Sequence, residues 1–141
     1  MDAAPPDLDA FIRDITGEDR LPAKDADLFH KFGIDGDDAS EFMEAFAARF
    51  GVDMTGFLWY FHHGEEVWSP LSFVFKPPYM RVKTIPVTIA LLEEAIATKR
   101  WPVVYPPHTL PERRWDILAV YPFMIAVILA VFALSLWLDK H

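Results

Sequence analysis

The chain contains no cysteine among its 141 residues. A disulfide, a thiol nucleophile and a thiolate metal site are therefore excluded. The composition suits a reducing compartment. The start of the chain also lacks something. Met1-Asp2-Ala3-Ala4-Pro5-Pro6-Asp7 has neither a basic segment nor an apolar run, so it does not read as a secretory signal. No phosphate loop or dinucleotide fingerprint occurs, no nucleophile elbow surrounds any serine, and no segment repeats. The last absence is the most informative. From Ile117 to Leu138 there is not one charged residue.

That uncharged run is 22 residues long. As a helix it would measure roughly 33 Å, close to the hydrocarbon thickness of a bilayer. The remaining chain is too small to surround such a helix. The flanks agree with a membrane span. Arg113, Arg114 and Trp115 precede it, and Trp137, Asp139 and Lys140 close it. Trp115, Tyr121 and Trp137 read as interfacial belt residues. Thr109-Leu110-Pro111-Glu112 resembles a capping box, which puts the helix start near Leu110. Pro122 lies inside the run as a potential kink. Lys99, Arg100, Arg113 and Arg114 stand on the N-terminal side, against Lys140 beyond. The positive-inside rule then predicts the preceding domain in the cytoplasm and His141 outside.

Charge is unevenly placed along the rest. Residues 1–66 carry 16 Asp and Glu against 5 Lys and Arg, and residues 67–141 carry 5 against 8. An acidic head repels nucleic-acid phosphates and excludes that class of partner. It suits a basic protein surface. The same charges would also keep a small domain soluble.

Within the head, helical periodicity appears three times. Pro5-Pro6-Asp7 signals a helix start, and Leu8, Phe11, Ile12 and Ile15 follow at i, i+3, i+4 and i+7. Thr16-Gly17 ends that helix. A short apolar turn, Asp27 to Asp35, stops at Gly33. Asp37 and Asp38 then offer caps and favourable charge for a second long helix. Its apolar face is Phe42, Met43, Phe46, Ala47 and Phe50, and Gly51 ends it. Thr88 is placed to cap a third helix reaching Arg100, with Ile89, Leu92 and Ile96 inward. Residues 55–83 are rich in aromatics and broken by Gly64, Pro70, Pro77 and Pro78, so short pieces are expected there. That segment reads as cover for the core, as a docking surface, or as a membrane-facing surface with Lys76, Arg81 and Lys83 near anionic headgroups.

The run Leu28-Phe29-His30-Lys31-Phe32-Gly33-Ile34-Asp35-Gly36-Asp37-Asp38-Ala39-Ser40-Glu41-Phe42 resembles the centre of an acyl carrier protein. That family has an apolar lead-in, a Gly, then Asp-Ser-Leu opening an acidic helix with a Glu five positions after the Ser. Asp35 falls on the motif's Asp, and Glu41 and Phe42 fall on its Glu and the apolar residue after it. Phe50-Gly51-Val52 resembles the end of the same helix. Thr88-Ile89 with Leu92 and Ile96 resembles the family's last helix. The likeness covers residues 7–54 and 86–100. The chain is also similar to uncharacterised bacterial families related to acyl carriers, which share a closing helix ending in Arg-Trp, here Arg100-Trp101.

The resemblance implies a small helical bundle whose acidic second helix docks a basic partner through Asp35, Asp37, Asp38, Glu41 and Glu44. One departure matters. Gly36 stands where the family's Ser carries phosphopantetheine. Without a hydroxyl no phosphodiester can form, and Ser40 lies one helical turn further on. The implied protein is a carrier-like module with no cofactor. Residues 55–83 also replace the family's short second loop and third helix.

Metal readings are weak. As a calcium loop starting at Asp35, the sixth position would be Ser40 and the twelfth Phe46, where a Gly and a Glu belong. His62-His63 with Glu65-Glu66 lacks further ligands at fitting spacing. The expectation is thus a mainly α chain. Residues 1–101 form an acyl-carrier-like head with an aromatic insertion at 55–83. Residues 102–111 form a proline-rich linker, and residues 112–138 a transmembrane anchor helix. The expected function is a non-catalytic, tail-anchored bacterial interaction module on the inner membrane. Its partner would be a protein with a basic face, such as a lipid or fatty-acid enzyme or a membrane complex. An accessory subunit held by its tail and aromatic segment is the alternative. A true carrier modified at another serine is the third.

Overall fold

The computed structural model describes residues 6–141. The stretch before Pro6, including the Pro5 of the helix-start signal and most of the segment read against a secretory leader, lies outside them. The described chain is mainly helical. It holds α1 (Pro6–Thr16), α2 (Leu28–Phe32), α3 (Gly36–Phe50), α4 (Ile89–Thr98), α5 (Trp115–Leu118) and α6 (Val120–Leu138). Among the described residues there is no strand, only an isolated parallel bridge between Asp53 and Arg100.

The apolar positions at helical spacing make one core. Leu8 and Ile12 of α1 meet Leu28 and Phe29 of α2, Phe42, Met43 and Phe46 of α3, and Ile89, Leu92 and Ala95 of α4. Phe11 links α1 to α3 by edge contacts with Phe42 and Phe50, at 5.4 and 5.6 Å between ring centroids. Phe29 meets Phe42 in the same way at 5.5 Å. Burying side chains of this size stabilises the fold by about 1.5–3 kcal/mol each. Ile15, expected inward, lies near the end of α1 and is exposed.

The helix ends follow their capping residues. The Asp27 carboxylate accepts the Phe29 and His30 amides and starts α2. Thr88 Oγ1 accepts the Leu91 amide at 3.1 Å and starts α4. Gly51 takes the left-handed conformation that ends α3, at φ 65°. Immediately after it, Asp53 exchanges backbone hydrogen bonds with Lys99 and Trp101, both 2.9 Å. The exits of α3 and α4 are thereby tied together. Asp35, rather than Asp37 or Asp38, is the N-cap of α3, and those two occupy its first turn.

Residues 55–83 contain two short 3-10 turns, Trp59–Phe61 and Pro78–Met80. The first half of this segment is part of the head, with Phe61, His62 and His63 buried. In the second half Pro77 and Pro78 are buried and pack back on the head, while residues before them stand out from it. Trp68, Phe73 and Val74 are 61%, 74% and 58% exposed.

The long apolar helix runs from Trp115 to Leu138, 24 residues whose most apolar 18-residue stretch has mean hydropathy 2.7, and is long and apolar enough to cross a membrane. No residue of α6 is buried. The helix does not begin near Leu110 or at Glu112, as the capping-box reading expected. Residues 110–114 are non-helical, and Arg114 is the N-cap of α5. Its guanidinium reaches back to Glu65 and forward to Asp116, and that pairing fixes the start. Pro122 acts earlier than its own position. Its ring crowds the carbonyl four residues before it, and the helix is interrupted at Ala119, between α5 and α6.

Candidate functional site

The helix α3 presents one acidic ridge. Asp37, Glu41 and Glu44 recur at i, i+4 and i+7, with Asp38 beside them. All four are exposed, and among the described residues none is in an ion pair. Hollows flank the ridge. One, about 340 Å³, is lined by Ser40, Met43, Glu44, Ala47, Met54 and Phe57. Another, about 280 Å³, has Asp38 and Glu41 at its edge and Phe32, Ile34 and Phe42 within.

Asp35 is set apart from the other four acids. Its Oδ1 accepts the Gly64 amide at 2.6 Å. This bond draws the segment after His63 over the start of α3. Glu66 then crosses directly above Gly36. A Cβ built on Gly36 would collide with Cγ of Glu66 and lie 2.8 Å from its Cδ. Gly36 also has φ +52°, a left-handed conformation that L side chains rarely adopt. The backbone therefore disfavours a side chain at this position whatever the space, and the exposed Glu66 would also have to swing aside.

Behind this surface lies a fully paired polar cluster. His62 Nδ1 donates to the Ile85 carbonyl at 2.9 Å, so Nε2 is left as an acceptor. It receives the Tyr105 hydroxyl at 2.8 Å. The Tyr105 oxygen in turn accepts the Leu58 amide at 3.1 Å and the Trp101 indole N–H at 2.8 Å. Phe57 stacks on the His62 ring at 5.1 Å. The arrangement requires a neutral imidazole. The His62 pKa is lowered to about 4, chiefly by burial and also by the neighbouring His63, against the opposing pull of the Ile85 carbonyl and Asp27. Burial raises the Tyr105 pKa, against the hydrogen bonds it accepts from Leu58 and Trp101.

His63 differs. Its Nδ1 donates to the Gly64 carbonyl at 2.6 Å, and its buried Nε2 has no partner. Its ring edges a cavity of about 340 Å³ shared with Asp27, Phe29, Asp35, Tyr60 and Tyr79. Among the described residues, no three His, Asp or Glu side chains converge as metal ligands.

Residues 10–104 match the family described as "Protein of unknown function (DUF1493)". The chain belongs to that family. The DUF1493 region takes in most of α1, the whole of α2 to α4, the His62–Tyr105 surround up to Val104, and both hollows beside α3. It ends before the long apolar helix. No curated protein and no solved structure matches the chain.

Three residues of the DUF1493 head and its exit have structural roles that the sequence does not reveal. Tyr105 sits among prolines and gives no periodic signal, yet it satisfies three donors and acceptors. Glu66 was read with Glu65 as a metal candidate, whereas it fills the space over Gly36. Arg114 was read as a positive-inside charge, and it also pairs with Glu65 and Asp116.

Proposed function

We propose that this protein is a non-catalytic interaction module, anchored by Trp115–Leu138 in a bacterial inner membrane with its head in the cytoplasm. The ridge of α3 is its docking face, and the partner is a protein presenting a basic, amphipathic segment. The observation that carries this reading is the exposure of four carboxylates unpaired among the described residues, Asp37, Asp38, Glu41 and Glu44, between two hollows, of which the one lined by Met43, Ala47, Met54 and Phe57 has apolar walls. Basic side chains would meet the ridge while apolar ones enter the hollow lined by Met43, Ala47, Met54 and Phe57. Charge sets the rate and orientation of such an encounter, and the apolar contacts hold it.

The carrier resemblance supports the same face, since carrier proteins dock through the corresponding helix. It also bears on cofactor chemistry. The position expected for a phosphopantetheine serine is Gly36, and Glu66 occupies the space above it. The head is therefore read as carrier-like in shape and free of covalent cargo.

A photo-crosslinker placed at the exposed Ala48, in full-length protein reconstituted in anionic nanodiscs, tests the docking face. The expected cross-linked partner should be lost several-fold in the Glu41→Lys/Glu44→Lys variant and at raised salt. Equal capture by the variant would remove α3 as the docking face. Labelling a cysteine placed at His141 from the outside of intact cells tests the orientation.

A further inference from the structure

The exposed half of the aromatic segment is fastened to the foot of the apolar helix. Glu65 accepts the Arg114 guanidinium at 2.6 Å. Ser69 Oγ donates to the Asp116 carbonyl at 3.1 Å. The Trp68 ring lies 6.2 Å from that of Phe123, in the first turn of α6. Residues 65–69 are thus held alongside residues 114–123.

Beyond these contacts the segment shows apolar surface to solvent. Val67 is 42% exposed, Trp68 61%, Phe73 74% and Val74 58%. Basic side chains rim the same region. Lys76, Arg81 and Arg113 are exposed and share a small cleft with Trp115. Arg113 lies over the Trp115 ring at 5.9 Å.

We infer that Val67–Arg81 is a second membrane-binding element, which enters the headgroup and upper acyl region of an anionic leaflet beside the helix. This rests on reading Trp115–Leu138 as a membrane span. The depth follows from that reading. An upright helix of 24 residues measures about 36 Å, so it exceeds a hydrocarbon core of about 30 Å by roughly 3 Å at each end. Phe123 is eight residues along it, roughly 9 Å below the hydrocarbon edge. A ring held against Phe123 therefore lies at or below that edge. This matches the roughly 5–10 Å to which interfacial segments insert. Trp68, Phe73 and Val74 supply the apolar face, and Lys76, Arg81 and Arg113 supply cations at headgroup level, where an anionic surface attracts them. The occupant is lipid rather than protein because the patch continues the surface of a helix exposed along its whole length.

The absence of cysteine makes the test clean. Single variants Phe73→Cys, Leu129→Cys and Ala48→Cys of the full chain are labelled with an environment-sensitive fluorophore. Each is reconstituted in phosphatidylglycerol-containing vesicles carrying quenchers at shallow or deep acyl positions. Position 129 should be quenched by the deep probe, position 73 several-fold more than position 48 by the shallow probe. Lys76→Glu/Arg81→Glu should reduce quenching at 73 and leave 129 unchanged. Quenching at 129 with position 73 as aqueous as 48 would overturn the inference while sparing the span. Absence of quenching at 129 would overturn the span and the inference with it. Protection of position 73 in native membranes but not in vesicles would assign the patch to a protein and overturn the lipid assignment.

Discussion

The hydroxyl of Tyr105 donates to Nε2 of His62 at 2.8 Å across 43 residues of sequence. That bond is made to an imidazole that burial keeps neutral, and this sets the first expectation. The folded pKa of His62 is about 4, against 6.5 for the free side chain. The folded protein thus binds fewer protons than the unfolded chain between these values. The contribution is complete above pH 6.5 and is lost as pH falls towards 4. The loss amounts to up to about 3 kcal/mol. Chemical denaturation of the head across this range should show the decline, and His62→Gln should flatten it. An unchanged pH profile in the variant would assign the decline to other groups.

Tyr105→Phe removes one oxygen and leaves the Leu58 amide, the Trp101 indole and His62 Nε2 unpaired. Stranding buried polar groups costs about 1–3 kcal/mol each, less where water enters. The expected loss is about 2–4 kcal/mol, read from urea midpoints, and larger than that of Trp101→Phe.

Gly36→Ser tests the space above α3. The substitution forces a side chain into a left-handed backbone and against Glu66. A destabilisation of about 1–3 kcal/mol is expected. Adding Glu66→Ala should restore the part due to collision and leave the backbone part. In both the native chain and the serine variant, intact mass should be unchanged after coexpression with a phosphopantetheinyl transferase. A phosphopantetheine mass on the native chain would sink the reading of Gly36.

Phe42→Ala and Phe46→Ala remove rings at the centre of the head, 1% and 0% exposed. Each should cost about 3–5 kcal/mol. Leu129→Ala, in the exposed apolar helix, should leave the urea midpoint of the head unchanged.

Arg114→Gln should release residues 65–69 from the helix foot. Asp116, buried and bonded twice by Arg114, would lose its main partner. Faster amide hydrogen exchange in 65–69 is the expected readout, with exchange in α3 unaltered. Equal protection would show that Ser69 and Trp68 suffice to hold the segment.

Much of the helical frame was legible. The faces Leu8-Ile12, Phe42-Phe46 and Ile89-Leu92 are local patterns, and Thr88 and Gly51 act within one turn of themselves. The start of the long helix was misplaced because Thr109 to Glu112 carries a cap-like pattern, while a contact between Glu65 and Arg114 prevails. The segment 55–83 resisted reading for the same reason. Its path depends on partners far along the chain, Tyr105 for Leu58 and His62, and Asp116 for Ser69. The exposed acids of α3 were legible from spacing and charge. That Asp35 is spent on Gly64, and that Glu66 seals Gly36, depends on tertiary contacts that no local pattern encodes.

The stretch after Trp101 reads as a linker, but Tyr105 is bonded into the head. His108 is bonded to Tyr60 and Arg114 to Glu65, so the connecting chain runs only from Thr109 to Arg113. Five residues extend at most about 18 Å, and the contacts of Glu65, Ser69 and Trp68 with residues 114–123 hold the head at the helix foot. With the helix in a bilayer, the head works on a short leash. It is held in a thin shell at the surface, in which its local concentration is high and beyond which it is absent. Any protein that meets α3 must itself reside at, or pass through, that shell.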